Sequence, residues 1–125
     1  MNLIFDFGNS LTKYFFIHYD EVIERGSFIS TKFDDSILDI KNKGSIEKLI
    51  YSSVIDDKRE QLSSVFETSK IISLKDKNLK LPFTNQYKSE TLGEDRVALV
   101  SAGLNLYPDE DLLIIDLGTC ITYDL

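Results

Sequence analysis

Two short motifs of the same design stand near the two ends of this chain of 125 residues. Residues 4–12 read IFDFGNSLT and residues 114–122 read IIDLGTCIT. Each copy has an apolar run typical of a buried strand, then an aspartate, a glycine one residue later, a small polar residue and a second strand. A strand as apolar as residues 111–116 needs partners on both sides, so the chain is expected to be part of a larger protein.

The pattern between the two motifs predicts alternating strands and helices. Strands are predicted at residues 2–7, 12–19, 22–30, 47–54, 71–72, 111–116 and 121–125, and helices at residues 33–43, 58–67 and 94–106. Asp20-Glu21 is the predicted turn between the second and third strands, which makes the first three strands antiparallel. Residues 75–90 are polar and show no period, and a loop of that length is usually functional or mobile.

Charge and composition exclude several classes of function. The 14 basic and 21 acidic residues give a net charge of −7, whereas a nucleic-acid surface needs a basic patch. No apolar run reaches the roughly 18 residues of a membrane span, so no membrane partner is expected. A single cysteine and a single histidine cannot supply the four ligands of a structural zinc site. The lone cysteine and the lack of a signal-peptide pattern predict a cytoplasmic protein.

The two acidic turns have the chemistry of a nucleotide site. Gly8 allows a phosphate to come close to the backbone, and Asn9 and Ser10 offer amide, hydroxyl and N–H groups to its oxygens. Asp6 is placed to hold the cation that accompanies phosphates, and Lys13 adds a positive charge. One such turn alone is more often a plain turn, but two copies that each follow a buried strand favour phosphate binding. The chain has neither a P-loop nor a Rossmann fingerprint.

A third group of residues opens the helix predicted at 94–106. Glu94 and Asp95 follow Gly93 in its first turn, where the helix dipole favours acids, so a plain helix start is one interpretation. In the other, Asp95 accepts a hydroxyl proton and Arg96 binds an anionic group, because a guanidinium pairs with a carboxylate through two N–H groups. The spacing alone leaves both interpretations open.

Three segments taken together resemble one family. DFGNSLTK at residues 6–13, TLGEDRVA at 91–98 and DLGTCITYD at 116–124 are similar, in this order, to the type III pantothenate kinases. These enzymes belong to the superfamily of sugar kinases, actin and heat-shock ATPases. The resemblance implies an α/β fold, a ribonuclease-H-like (actin-like ATPase) domain with a mixed sheet, antiparallel first three strands and flanking helices. It also implies a domain at residues 1–115 and, at 116–125, the start of a similar second domain that is missing.

The implied activity is ATP-dependent phosphorylation of pantothenate to 4′-phosphopantothenate, the first step of coenzyme A synthesis. The residues implied to bind ATP are Asp6, Phe7, Gly8, Asn9, Ser10, Leu11, Thr12, Lys13 and Thr119. Asp116 is implied to bind the monovalent cation, K⁺ or NH₄⁺, and Mg²⁺ arrives with the nucleotide. The family further implies a homodimer of the full-length protein.

The resemblance also assigns the acceptor site. Asp95 is the implied general base for the primary hydroxyl of pantothenate. Gly93, Glu94 and Arg96 are implied to lie along pantothenate, with Arg96 on its carboxylate. Tyr87 is the implied substrate-contacting tyrosine, although the proline that often precedes Thr-Leu-Gly in the family is absent here.

Two functions of different classes follow from these motifs. The first is the kinase, which is expected to be weak or inactive in this short chain alone. The second is a non-enzymatic nucleotide-binding regulatory module, which has no need of the Asp95-Arg96 pair. A nucleic-acid hydrolase ranks third because a basic groove is lacking. Cys120 is predicted to be buried and inert, and His18 to lie on a surface hairpin without a catalytic role.

Overall fold

The computed structural model describes residues 1–87, 92–118 and 120–125. The chain divides into two compact units, Met1–Asp76 and Lys77–Leu125, called the first and second unit below. Among the described residues, no helix is long and apolar enough to cross a membrane. The predicted division into a domain at residues 1–115 and the start of a second domain at residues 116–125 stays a prediction.

The first unit is built on a five-stranded mixed sheet with the order β3-β2-β1-β4-β5. Its strands are β1 (Asn2–Phe7), β2 (Leu11–His18), β3 (Glu21–Ile29), β4 (Lys48–Ser53) and β5 (Lys70–Ser73). The first three strands are antiparallel, while β4 and β5 run parallel to β1. Helices α1 (Phe33–Lys41) and α2 (Arg59–Val65) flank the sheet, and a 3₁₀ turn, Ser30–Lys32, precedes α1. The predicted α/β arrangement is confirmed.

Alternation along β1 decides which side chains reach the core. Leu3, Phe5 and Phe7 are at most 1% exposed, and they pack with helix residues such as Ile37 and Leu62. Burying one such side chain contributes about 1.5–3 kcal/mol. Because successive side chains of a strand point to opposite faces, Asp6 lies on the other face of the sheet from its neighbour Phe7. The core thus fixes the direction of the Asp6 carboxylate.

The turn between β2 and β3 falls one residue earlier than predicted. Tyr19 and Asp20 have φ angles of 47° and 65°, and His18 pairs with Glu21. A two-residue hairpin turn with both central residues in the left-handed region matches the right-handed twist of its strands. His18 is exposed on this hairpin, as predicted.

The second unit contains helix α3 (Glu94–Leu106) and an antiparallel pair, β6 (Ile114–Leu117) and β7 (Ile121–Asp124). The prediction of a strongly buried strand at 111–116 is wrong, because β6 begins at Ile114 and, within the predicted range, Leu113 is 57% and Ile115 50% exposed. Burial alternates along β6 since a two-stranded sheet has one open face. Cys120 is exposed, so its predicted burial is also wrong. Residues 77–87 have neither helix nor strand, and the rest of the predicted loop, 88–90, lies outside the described residues.

Candidate functional site

The turn after β1 is held by hydrogen bonds on both sides. Gly8 N–H donates to the Leu11 carbonyl at 3.2 Å, and a Cβ at Gly8 would lie 2.8 Å from that same oxygen. The Ser30 hydroxyl donates to the Gly8 carbonyl at 2.8 Å and contacts the Thr12 hydroxyl at 3.0 Å. Ser30 N–H donates to the carbonyl of Ser10 at 3.0 Å. Glycine is therefore required at position 8 by close packing within the turn.

The exposed part of this turn has free donors. Asn9 and Ser10 are exposed, and no hydrogen bond joins their N–H groups to another described residue. Such N–H groups at a turn can bind phosphate oxygens. Phe7 and Thr12, by contrast, are at most 1% exposed as whole residues, so neither presents side chain or backbone at the surface, and their contact with ATP stays a prediction.

Asp6 lies between a hydroxyl and an ammonium group. Ser52 donates its hydroxyl to Asp6 Oδ1 at 3.0 Å, because β4 pairs with β1 so that Ser52 stands beside Asp6. Lys13 Nζ lies 4.0 Å from Asp6 Oδ2, since Lys13 is the partner of Asp6 across the β1–β2 hairpin. Lys13 thus points toward the carboxylate. One oxygen of Asp6 is oriented by Ser52, and the other faces Lys13.

Hydrogen bonds and an ion pair connect β4 and β5 with the residues that follow each strand. The Tyr51 hydroxyl donates to the Asp57 carboxylate, and burial together with this bond raises the pKa of Tyr51 to about 12. The same bond, with the Arg59 N–H at 3.0 Å, lowers the pKa of Asp57. The Arg59 guanidinium pairs with Asp76, which raises the Arg59 pKa, and Asp76 also accepts the Ser73 N–H at 3.1 Å. The loops after β4 and β5 are fixed by these contacts.

The start of α3 makes room for a carboxylate. Gly93 is the residue before the helix, and a Cβ there would overlap Oδ1 of Asp95. The exposed Asp95 carboxylate accepts the Arg96 N–H at 2.9 Å. Glu94, the other acid of this first turn, is only 4% exposed. The two acids predicted together at the helix start therefore differ, with Asp95 turned to solvent and Glu94 buried.

Arg96 is held on two sides. Its Nε lies 3.1 Å from both carboxylate oxygens of Asp124, and its Nη2 also bonds Asp124 Oδ1. The ring centre of Tyr87 lies 5.0 Å from Cζ of Arg96, within the range of a cation–π contact. The bond to Asp124 is the main cause of a raised pKa for Arg96. Tyr87 and Arg96, both predicted to contact the acceptor, are brought together.

A pocket of about 400 Å³ lies next to this arginine. It is lined by residues 83–87, Leu92, Arg96, Val100 and residues 123–125. Its volume falls within the roughly 300–1,000 Å³ of small-molecule pockets, and it combines apolar walls with a few polar groups. A pocket with a guanidinium in its wall can accept a small organic anion.

Asp116 stands on β6 opposite Thr122 of β7. Both side chains are partly buried, and the Thr122 hydroxyl oxygen has no hydrogen-bond partner among the residues described. A carboxylate and a hydroxyl on one face fit a hard cation, which prefers oxygen ligands. No group of three or more His, Cys, Asp and Glu side chains gathers in the described ranges. Thr119, predicted to contact ATP, lies outside the described residues.

Several residues of these sites were not predicted from the sequence. Ser52 and Ser30 reach the first turn from later segments, and Asp124 reaches Arg96 across 28 positions. Only Asp124 had a sequence signal, since it closes the DLGTCITYD motif. The other two contacts depend on strand register and on the chain path after β3.

Comparison with known proteins identifies the family. The type III pantothenate kinase family model matches residues 2–125. A type III pantothenate kinase of Christiangramia forsetii is 38% identical over 127 residues, covering 100% of this chain and 52% of the relative. One of Bacteroides fragilis strain YCH46 is 35% identical, covering 99% and 51%, and one of Phocaeicola vulgatus is 39% identical, also covering 99% and 51%.

The chain thus spans about half the length of these curated relatives. The match extends over both units described above and includes all three motifs on which the resemblance was based. The chain belongs to the type III pantothenate kinase family.

Proposed function

We propose that the protein containing this chain transfers the γ-phosphoryl group of ATP to the primary hydroxyl of pantothenate. The observation that carries the proposal is an exposed carboxylate, Asp95, next in sequence to Arg96, whose guanidinium lines a pocket of suitable volume. A regulatory nucleotide-binding module has no need of this pair. The relatives named above carry the same activity in their names.

The nucleotide side of the reaction is assigned to the turn after β1. The N–H groups of Asn9 and Ser10 bind phosphate oxygens, and Lys13 neutralises part of their charge. Asp6 would hold Mg²⁺ through its water shell, as carboxylates do beside nucleotide phosphates. The Ser52 bond to Asp6 Oδ1 limits the rotation of this carboxylate.

The acceptor side is assigned to the start of α3. Arg96 binds the carboxylate of pantothenate, with Tyr87 beside it and Gly93 and Glu94 along the chain. Asp95 takes the proton of the primary hydroxyl as its oxygen attacks the γ-phosphorus. The bond from that phosphorus to the β,γ-bridging oxygen breaks, and ADP leaves. Catalysis consists mainly of positioning and charge stabilisation, with proton removal added.

The remaining assignments concern the monovalent cation, the second domain and the oligomeric state. Asp116 and Thr122 would supply oxygens to a monovalent cation, K⁺ or NH₄⁺, whose charge would offset that of the phosphates. Residues 116–125 begin a second domain that helps enclose ATP, and the complete protein forms a homodimer in the cytoplasm. Sedimentation of the complete gene product tests the dimer.

Replacing Asp95 with asparagine tests the catalytic assignment. In the complete gene product, supplied with ATP, Mg²⁺ and K⁺, D95N is expected to lower kcat about 10²–10⁴-fold, because general-base catalysis is lost. The KM for pantothenate is expected to stay within about threefold, since the amide keeps the shape of the acid. Asp111, an exposed acid of the same unit, is the matched control, and D111N should keep the wild-type rate.

Two outcomes would count against this account. Full activity of D95N would remove the base assignment while leaving the kinase intact. An absence of phosphopantothenate from the wild-type reaction would overturn the kinase itself.

A further inference from the structure

The ion pair of Arg96 and Asp124 uses one particular edge of the guanidinium. A guanidinium has five N–H donors on a rigid planar fork. Asp124 accepts from Nε and Nη2, the two nitrogens of the side edge. The terminal edge, formed by Nη1 and the second N–H of Nη2, is the edge that pairs with a carboxylate end-on. Asp124 therefore leaves that terminal edge to another anion.

The ion pair is largely buried. The side chains of Arg96 and Asp124 are 19% and 16% exposed, which favours a defined geometry over a mobile surface pair. Asp124 is held in the β6–β7 pair, where it stands opposite Ile114. Strand β6 in turn packs closely on α3, as a Cβ added at Gly103 would lie only 3.0 Å from Ile114 Cδ1. The end of β7 and the first turn of α3 are thus fixed to each other within the second unit.

Tyr87 is a second contact of the guanidinium. The Tyr87 ring lies 5.0 Å from Cζ, and the Tyr87 N–H donates to Asn85 Oδ1 at 2.8 Å, which orders the backbone there. Asp124 on the side edge and Tyr87 nearby together restrict the orientation of the Arg96 guanidinium. Arg96, Tyr87 and Asp124 all line the same pocket.

We propose that Asp124 is a positioning residue that fixes Arg96 so that its terminal edge binds the carboxylate of the acceptor. The inference rests on the proposed function, and it adds a residue that sets specificity for an anionic acceptor. The opposite role, in which Asp124 competes with the acceptor for Arg96, requires the terminal edge to be occupied. Asp124 takes the side edge instead.

The test compares D124N with wild type on two acceptors in the complete gene product. One acceptor is pantothenate, and the other is panthenol, in which a hydroxymethyl group replaces the carboxylate. D124N is expected to raise the KM for pantothenate about 10- to 100-fold, because a bond to a charged partner is lost. The kcat at saturation should stay within about threefold, and the KM for panthenol should not change, since panthenol has no carboxylate to orient.

Two further variants separate positioning from folding. D124E keeps the charge and should recover part of the pantothenate KM. In an R96Q background D124N should have no further effect, because Asp124 acts only through Arg96. D111N again serves as the charge-matched control, and thermal unfolding without substrate shows whether each variant is folded.

Each outcome decides the inference. A pantothenate KM that is unchanged or lower in D124N overturns it, and a lower KM identifies Asp124 as a competitor. An equal rise in KM for both acceptors assigns Asp124 a structural role only. The same follows if D124N unfolds and D124E has the same KM change for both acceptors. If wild type neither binds nor phosphorylates pantothenate, the proposed function fails and the inference with it. Wild-type turnover with an unaffected D124N overturns the inference alone.

Discussion

The two Asp-x-Gly hairpins have the same motif but different surroundings. In the β1–β2 hairpin Asp6 faces Lys13, and β3 and β4 pair on either side. In the β6–β7 hairpin Asp116 faces Thr122, and the two strands form a sheet of their own among the described residues. A two-stranded hairpin is marginally stable by itself. The motif therefore sets the turn, while neighbouring strands decide how firmly the carboxylate is held.

The turns also differ in detail. Gly8 N–H donates to the carbonyl three residues on, at Leu11, and Gly118 N–H to the carbonyl two residues on, at Cys120. Ser30 adds a second layer of hydrogen bonds to the first turn. The open face of the second hairpin carries the exposed side chains of Ile115, Leu117, Ile121 and Tyr123. The difference predicts that equivalent substitutions have unequal effects.

The largest difference is expected between D6N and D116N. D6N should lower kcat/KM for ATP about 10²-fold or more, because it removes a charge placed for the metal beside the phosphates. D116N should mainly raise the K⁺ concentration that gives half-maximal activity, with most of kcat recovered at high K⁺. Initial rates over a matrix of ATP and K⁺ concentrations measure both effects. Equal losses in both variants, with no recovery by K⁺, would mean that the two carboxylates have the same role.

The next difference concerns stability. Gly8→Ala places a Cβ 2.8 Å from the Leu11 carbonyl oxygen, and backbone has to move, so a loss of about 1–3 kcal/mol in unfolding free energy is expected. At Gly118 the nearest atom, the Cys120 carbonyl oxygen, lies at an ordinary 3.7 Å, so Gly118→Ala should change stability by less than about 0.5 kcal/mol. Urea unfolding of the two variants measures the difference. A larger loss at Gly118 would contradict the packing described for the first turn.

A narrower range of effect than that of Gly8→Ala is expected from Y51F, next to the first hairpin. The substitution removes the hydrogen bond to Asp57, so the unfolding free energy should fall by about 1–2 kcal/mol near neutral pH. Because the pKa of Tyr51 is raised to about 12 in the folded protein, the neutral Tyr51 hydroxyl stabilises the fold fully below pH 10. That contribution is lost as the pH rises toward 12. Because the pKa of Asp57 is lowered from its ordinary value of 3.8, the ionised Asp57 carboxylate stabilises the fold above pH 3.8. That contribution is lost as the pH falls below this value.

Unfolding free energies of wild type and Y51F from pH 2 to pH 12 test this assignment. Y51F should have a weaker dependence on pH at both extremes. Parallel curves for the two proteins would show that the Tyr51–Asp57 bond does not contribute.

Sequence patterns predicted the parts of the fold that depend on local alternation. The strands and helices of the first unit form within two residues of their predicted bounds, and the helix at 94–106 forms as predicted. The predicted burial of residues 111–116 was wrong, because the same apolar run can form a central strand or a strand with one open face. Ser52 beside Asp6 and Asp124 beside Arg96 depend on contacts between distant segments, which no local period encodes.

The most direct test of the account follows the phosphorus atoms themselves. The complete gene product is incubated with ATP, Mg²⁺, K⁺ and pantothenate, and the reaction is followed by ³¹P NMR. The account predicts a phosphomonoester signal that grows in equal amount with ADP and disappears when pantothenate is omitted. ADP with inorganic phosphate alone would indicate a hydrolase, and unchanged ATP would indicate a binding module. Either result would contradict the assignment of Asp95 and Arg96 to an acceptor site.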